Sequence, residues 1–297
     1  MKKLFVIASL IVCISVYSQQ EMQSYLYVYD PLLYNAAYSG INDDASMSLH
    51  FDKQWINMEG SPVTFQFAGS SLLKYNLSTG AVFQYEKVGI TQHTVVDVLL
   101  AYKITLSKNT ILSMGIGGGF CFLDKDFEEL NDDLKTDMYY ANQPKKERLP
   151  HGQVGLLLHS DKYHFSCSAK GLWESHPNED FGYKQRTHFY VSGGGKFRLN
   201  KKFLFLASCL ATMERDSPIS LDLFPVIEYD KTFSIGLLYR TDHYGGLNFK
   251  VNVTPCFYLG GAYVHSLNQL ANEKISSSFE LMIGVRFPLK DEVSEWN

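Results

Sequence analysis

The sequence predicts an all-β protein: a transmembrane antiparallel up-and-down β-barrel of about 14 strands with a short N-terminal plug-like segment. Three observations predict it. The chain opens on an export signal, period-two apolar alternation recurs along most of its length, and the alternation persists into the last apolar segment near the C-terminus. In that segment Phe279, Leu281, Ile283, Val285 and Phe287 take every second position, with Glu280, Met282, Gly284 and Arg286 between them. A period of two sends the two sets to opposite faces of a strand. One face is hydrocarbon and the other carries opposite charges, as expected for a closing strand with lipid outside and a polar lumen inside.

Taken from the start, Lys2 and Lys3 precede an apolar run from Leu4 to Val16, and Ser18 offers a small residue for cleavage. Residues 1–18 read as a secretory signal peptide. The run is shorter than the roughly 20 residues of a spanning helix. Cys13 is preceded by Val12, where a lipidated cysteine would need a small residue, so a lipoprotein is not expected. Losing Lys2 and Lys3 moves the net charge from −4 to about −6, which argues against a nucleic-acid partner. No second long apolar run occurs, which excludes a helical membrane protein. The 19 Tyr and 20 Phe are enough to furnish aromatic girdles at both membrane interfaces.

Candidate strands lie near 45–51, 62–70, 79–87, 94–106, 110–123, 151–160, 162–174, 187–198, 203–212, 219–229, 231–241, 244–254, 255–266 and 275–289. Val96, Val98, Leu100, Tyr102, Ile104 and Leu106 alternate with Asp97, Ala101, Lys103 and Thr105, and Phe233, Ile235, Leu237 and Tyr239 alternate with Ser234, Gly236 and Arg240. Ser107-Lys108-Asn109, Asp161-Lys162 and Asn200-Lys201-Lys202 read as hairpin turns. Longer connections near 124–150, 175–186 and 266–274 belong on the opposite rim. The expected domains are 1–18 signal peptide, 19–44 N-terminal periplasmic or plug segment, 45–289 outer-membrane barrel and 290–297 C-terminal tail.

Nothing in the sequence selects a catalytic, cofactor-binding or metal-ligating residue. Gly115, Gly117, Gly118 and Gly119 fit neither nucleotide fingerprint, and glycines in a barrel strand mark a bend or the close approach of something in the lumen. The acids Asp124, Asp126, Glu128, Glu129, Asp132 and Asp133 lack the glycine and glutamate of a calcium loop and read as a solvated loop. His159, Ser160 and Asp161 share a hairpin turn and cannot converge as a triad. Cys121, Cys167, Cys209 and Cys256 form no CxxC pair and read as small apolar side chains.

Residues 19–44 do not alternate. They are tyrosine-rich, with turn signals at Asp30-Pro31 and Ser39-Gly40. Such a segment either folds into the lumen as a plug or extends into the periplasm. The stretch Tyr25 to Gly40 resembles the opening motif of the PorP/SprF family, roughly Y-x-x-N-P-x-x-x-N-P-A-Y-x-G. Pro31, Asn35, Ala37, Tyr38 and Gly40 match, while Asp30 and Ala36 depart from the usual Asn and Pro. Gln54-Trp55 and Gly60-Ser61-Pro62-Val63-Thr64 are similar to the family's Q-W and G-A-P-x-T blocks. The arginine usual before Q-W is missing, and Asp52 stands there. Gly236 to Arg240 and Ser277 to Phe287 are similar to two late strands.

The resemblance implies an outer-membrane barrel of Bacteroidota associated with type IX secretion and often with gliding motility. It implies as partners a large secreted surface protein, commonly an adhesin with a type B C-terminal domain, together with other type IX components. The expected role is export of that protein, its anchoring at the surface, or both. Tyr25, Tyr27, Tyr29, Tyr34 and Tyr38 with Trp55 are candidate anchors for such a partner, and equally candidates for packing a plug against the lumen. Pro31, Asn35, Gly40, Gln54, Gly60, Pro62 and Thr64 complete the partner-binding or plug set. Gly284, Phe287 and Leu289 fit the spacing of a barrel-assembly signal. The alternative is a FadL-like outer-membrane channel for hydrophobic small molecules.

Overall fold

The computed structural model describes residues 22–127, 146–173, 185–215, 217–267 and 277–289. The expected signal peptide, the C-terminal tail and the acids Glu128, Glu129, Asp132 and Asp133 lie outside them.

Fourteen strands form one closed sheet: β1 Asp44–Lys53, β2 Val63–Lys74, β3 Leu77–Val88, β4 Thr91–Ser107, β5 Thr110–Lys125, β6 Lys146–Ser160, β7 Tyr163–Lys170, β8 His188–Arg198, β9 Phe203–Glu214, β10 Ser220–Tyr229, β11 Phe233–Arg240, β12 Tyr244–Asn252, β13 Phe257–Ser266 and β14 Ser277–Pro288. Each pairs antiparallel with its sequence neighbours, and β14 closes on β1 with Asp44 opposite Pro288 and Lys53 opposite Phe279. Closure leaves no strand edge, which lipid requires because it offers backbone groups no hydrogen bonds.

The alternation sorts the faces as the sequence predicts. On β14, Leu281, Ile283 and Phe287 are about half exposed outward while Glu280 and Met282 are buried inward. On β4, Val98 is 62% exposed and its neighbour Asp97 1%. All fourteen expected strands are present, and three boundaries moved by four residues or more; β2 runs on to Lys74, four residues past its expected end. β7 stops at Lys170 instead of 174, because Gly171 takes φ +70 and turns the chain. The turn lays the Trp173 ring on Gly152 of β6, where a Cβ would come within 2.1 Å of it. β6 starts at Lys146, five residues earlier than expected, extending the ladder with β5 up to Asp124. The four described cysteines are all unbridged.

Connections differ by rim. Residues 75–76, 108–109, 161–162, 199–202, 230–232 and 253–256 are short turns on the rim where β1 begins. The opposite rim carries the short turns 89–90 and 241–243, the loop 54–62 and the connections that leave β5, β7, β9 and β13. Outer-membrane barrels keep short turns periplasmic and long loops outside.

Residues 22–43 lie against the inward faces of the strands. Two 3-10 turns, η1 Pro31–Leu33 and η2 Ala36–Tyr38, are the regular elements there. Pro31 opens η1, where its fixed φ suits the first helical position and its missing N–H costs nothing. The core of the molecule therefore sits in the lumen. Tyr25, Leu26, Tyr27, Leu32, Leu33, Tyr34 and Ala36 pack with wall residues such as Leu99, Tyr190, Leu210, Phe224, Leu238, Val264 and Met282. Each fully buried leucine there contributes about 1.5–3 kcal/mol over an exposed one.

Candidate functional site: the filled lumen and the loop rim

The N-terminal segment begins near the long-loop rim. Met22 packs with Val95, Cys121, Leu123 and Leu149, all at that end of their strands. The Ser24 hydroxyl and the Tyr25 N–H donate to the two oxygens of Glu280, at 2.7 and 2.6 Å. Tyr27 meets Tyr34 edge-on at 5.2 Å, and Tyr34 in turn meets Tyr190 at 5.1 Å. T-shaped pairs of this kind add roughly 0.5–1.5 kcal/mol beyond burial. The Tyr29 hydroxyl donates to Asn248 Oδ1 at 2.8 Å.

Midway down, His50 of β1 joins the segment to the wall. Its Nδ1 faces Glu280 at 2.8 Å and its Nε2 faces Asp30 at 3.1 Å, and all three side chains are nearly or fully buried. Both contacts are hydrogen bonds only when both ring nitrogens carry hydrogen. Asp30 also accepts from the Ser48 hydroxyl. Below this the chain turns at Asn35, whose Oδ1 accepts from Ala37 N–H and caps η2. Its Nδ2 donates to the carbonyls of Leu156 and Cys167, at 3.1 and 3.3 Å. The turn fits because the wall is glycine there. A Cβ on Gly115 would lie 2.3 Å from Ala37 N, and one on Gly155 would lie 1.9 Å from Asn35 Oδ1. The close approach expected at the glycine run is thus the chain's own segment at Gly115. Gly118 points into open space.

Lysines close both ends of this lower half. Lys170 donates to Leu33 O at 3.0 Å, and Lys103 donates to Gly40 O at 2.8 Å and pairs with Asp43. Gly40 holds φ +57 where a Cβ would strike Ser78, so the turn into β1 needs glycine.

The sequence-selected residues fall in three places. Tyr25, Tyr27, Tyr29, Pro31, Tyr34, Asn35, Tyr38 and Gly40 line the lumen interior; Tyr25, Tyr27 and Tyr34 are at most 5% exposed. Gln54, Trp55, Gly60, Pro62 and Thr64 gather at the long-loop rim. There Gln54 N–H donates to Pro62 O, Trp55 N–H to Ser278 Oγ, and Gly89 N–H to Gly60 O, while Thr64 is buried on β2. This order holds Ile56 and Met58 about 40% exposed on the rim. Gly284, Phe287 and Leu289 lie at the short-turn end of β14. Gly284 makes room for the Tyr258 ring, Phe287 faces outward, and Leu289 N–H donates to Asp43 O.

Sequence reasoning did not single out the wall residues that hold the segment: His50, Lys103, Lys170, Arg240, Asn248 and Glu280. Their signal was a polar residue at an inward position of an alternating strand, but alternation does not say what it meets. A cavity of about 320 Å³ remains beside the segment, lined by Tyr29, Lys196, Glu228, Lys250, Tyr258 and Arg286 among others. Among the described residues no cluster of three or more His, Cys, Asp or Glu is arranged to hold a metal ion.

A closed fourteen-stranded barrel, lipid-facing outside and filled inside by its own N-terminal segment, is an outer-membrane protein. The family described as "Type IX secretion system membrane protein PorP/SprF" matches residues 16–285, and the chain belongs to that family. No curated protein matches the chain. Among solved structures it is similar to the outer membrane protein Omp33 of Acinetobacter baumannii, at 7% identity and TM-score 0.49, covering 82% of this chain and 99% of that one. The CymD monoaromatic hydrocarbon channel is similar at 8% identity and TM-score 0.49, covering 82% and 87%. The NanC porin is similar at 9% identity and TM-score 0.43, covering 82% and 98%.

Proposed function

We propose that this type IX secretion barrel partners a large secreted surface protein with a type B C-terminal domain, assisting its export or holding it at the cell surface beside other secretion components. The family match over residues 16–285 carries this reading. Two features of the molecule support it. The lumen is occupied, so residues 22–43 act as a plug, and a filled barrel suits a protein partner better than free diffusion of solutes. The rim loop 54–62 is tied to β14 and to the β3–β4 turn, and it holds apolar side chains toward the outside. In this reading the tyrosines of the segment pack the plug, and Trp55 with its neighbours meets the client.

The test is to tag the protein in its native host and identify what co-purifies from detergent-solubilised outer membranes. A large surface protein or other type IX components would uphold the reading. A lone barrel carrying bound lipid would overturn it in favour of a FadL-like channel.

A further inference from the structure

The β10–β11 seam differs from the rest of the barrel. The ladder pairs Asp222 with Arg240 and Leu223 with Tyr239, then resumes at Val226 with Gly236. Phe224–Leu238 and Pro225–Leu237 are left out, although Pro225 still pairs with Ala207 on β9 and Leu237 with Leu247 on β12. Proline has no N–H to give, and a proline inside a sheet is normally confined to an edge. A closed barrel has no edge, so the gap falls on a seam. The carbonyl of Leu237 is rescued by a side chain, Asn248 Nδ2 at 3.3 Å.

Alternate residues at the start of the N-terminal segment serve this seam: Gln23, Tyr25 and Tyr27 touch it, and Tyr29 touches Asn248 on the adjoining β12. Gln23 hydrogen-bonds the Arg240 guanidinium, which clamps Asp222 through two 2.6 Å bonds across β10 and β11. The Tyr25 ring lies 5.4 Å from the same guanidinium carbon. Tyr27 packs at 5.9 Å on Phe224, one of the unpaired residues. The Tyr29 hydroxyl orients Asn248, the group that patches Leu237 O. The segment thus supports the clamp, the gap and the patch together.

We propose that the β10–β11 seam is a lateral gate, held shut by residues 23–29, whose opened edges accept an extended strand of the secreted client; the client part rests on the function proposed above. The occupant follows from the solvent. Edges opened toward lipid leave backbone N–H and C=O groups that only another strand can pair. Withdrawal of the segment removes the ties that close the seam, so plug and gate move as one.

The test uses amide hydrogen exchange on the purified full-length barrel. Amides of β10 and β11 should exchange faster than those of β4 and β5. Tyr29→Phe should accelerate them further by about five-fold, the effect of one net hydrogen bond. Pro225→Val, which restores the missing N–H, should slow them, and it serves alone where Tyr29→Phe does not fold. Equal exchange at both seams, unmoved by either variant, overturns the gate. In cells, with Cys121, Cys167, Cys209 and Cys256 replaced by Ala, a Leu223→Cys/Tyr239→Cys bridge should abolish client display. An Ala81→Cys/Val98→Cys bridge across β3 and β4 should not. If deleting the whole protein leaves display intact, the function proposed above fails while the exchange result still decides the seam. If deletion abolishes display and the β10–β11 bridge does not, the gate is overturned.

Discussion

Replacing Gly115 by Val puts a branched side chain where the backbone of η2 already sits. Even the first added carbon would lie 2.3 Å from Ala37 N and 2.4 Å from the Ala36 carbonyl carbon. These are backbone atoms, so no rotamer change relieves the overlap and η2 must move by about an ångström. Overpacking of this kind costs about 1–3 kcal/mol. Moving η2 also strains the two bonds from Asn35 Nδ2 to Leu156 O and Cys167 O, each worth about 0.5–1.5 kcal/mol. The interstrand ladder needs neither contact, so the strain should be relieved by release of the segment while the strands stay folded and paired outside the β10–β11 seam. The expected result is protease-sensitive residues 22–43 and raised conductance in planar bilayers, with heat-modifiable gel mobility unchanged. Gly118→Val, whose added carbon meets nothing within 4 Å, should behave as wild type. A Gly115→Val barrel with protected segment and unchanged conductance would refute the reasoning.

Further outcomes are expected elsewhere. Ile283→Arg places a charge on an outward position flanked by Leu49 and Leu259, costs about 2–4 kcal/mol near the midplane, and should lower the heat-modifiable protein recovered in the outer membrane. His50→Leu strands the buried carboxylates of Asp30 and Glu280 and should destabilise by roughly 3–5 kcal/mol in thermal unfolding; adding Asp30→Asn should recover part of that loss. Gly284→Leu drives into the Tyr258 ring, where a Cβ would already lie 2.1 Å away, and should slow barrel assembly measured by the folded fraction on unheated gels.

Much of this molecule was legible in the chain itself. Alternation on β4, β11 and β14 fixed which side chains face lipid, because the two faces of a strand are a local consequence of backbone geometry. Short polar runs such as Ser107-Lys108-Asn109 marked hairpins for the same local reason. Where local reasoning slipped, at the end of β7, Gly171 takes a positive φ that neither composition nor period announces. The tyrosines of residues 25–38 were legible as a set, but their place was not, since a tyrosine serves an exposed anchor and a buried core equally well.

The sequence alone therefore determined the strand count, the faces and the turns of this barrel. The tertiary structure decided what the inward residues meet. His50 and Glu280 are 230 positions apart and become neighbours only because β14 closes on β1, and Asp30 reaches them only because its segment lies inside. Pro225 and Asn248 are likewise unremarkable in the chain, and only β10, β11 and β12 lying side by side make one the gap and the other its patch. Periodicity acts along a chain, whereas contacts across a lumen depend on closure, which no local spacing encodes.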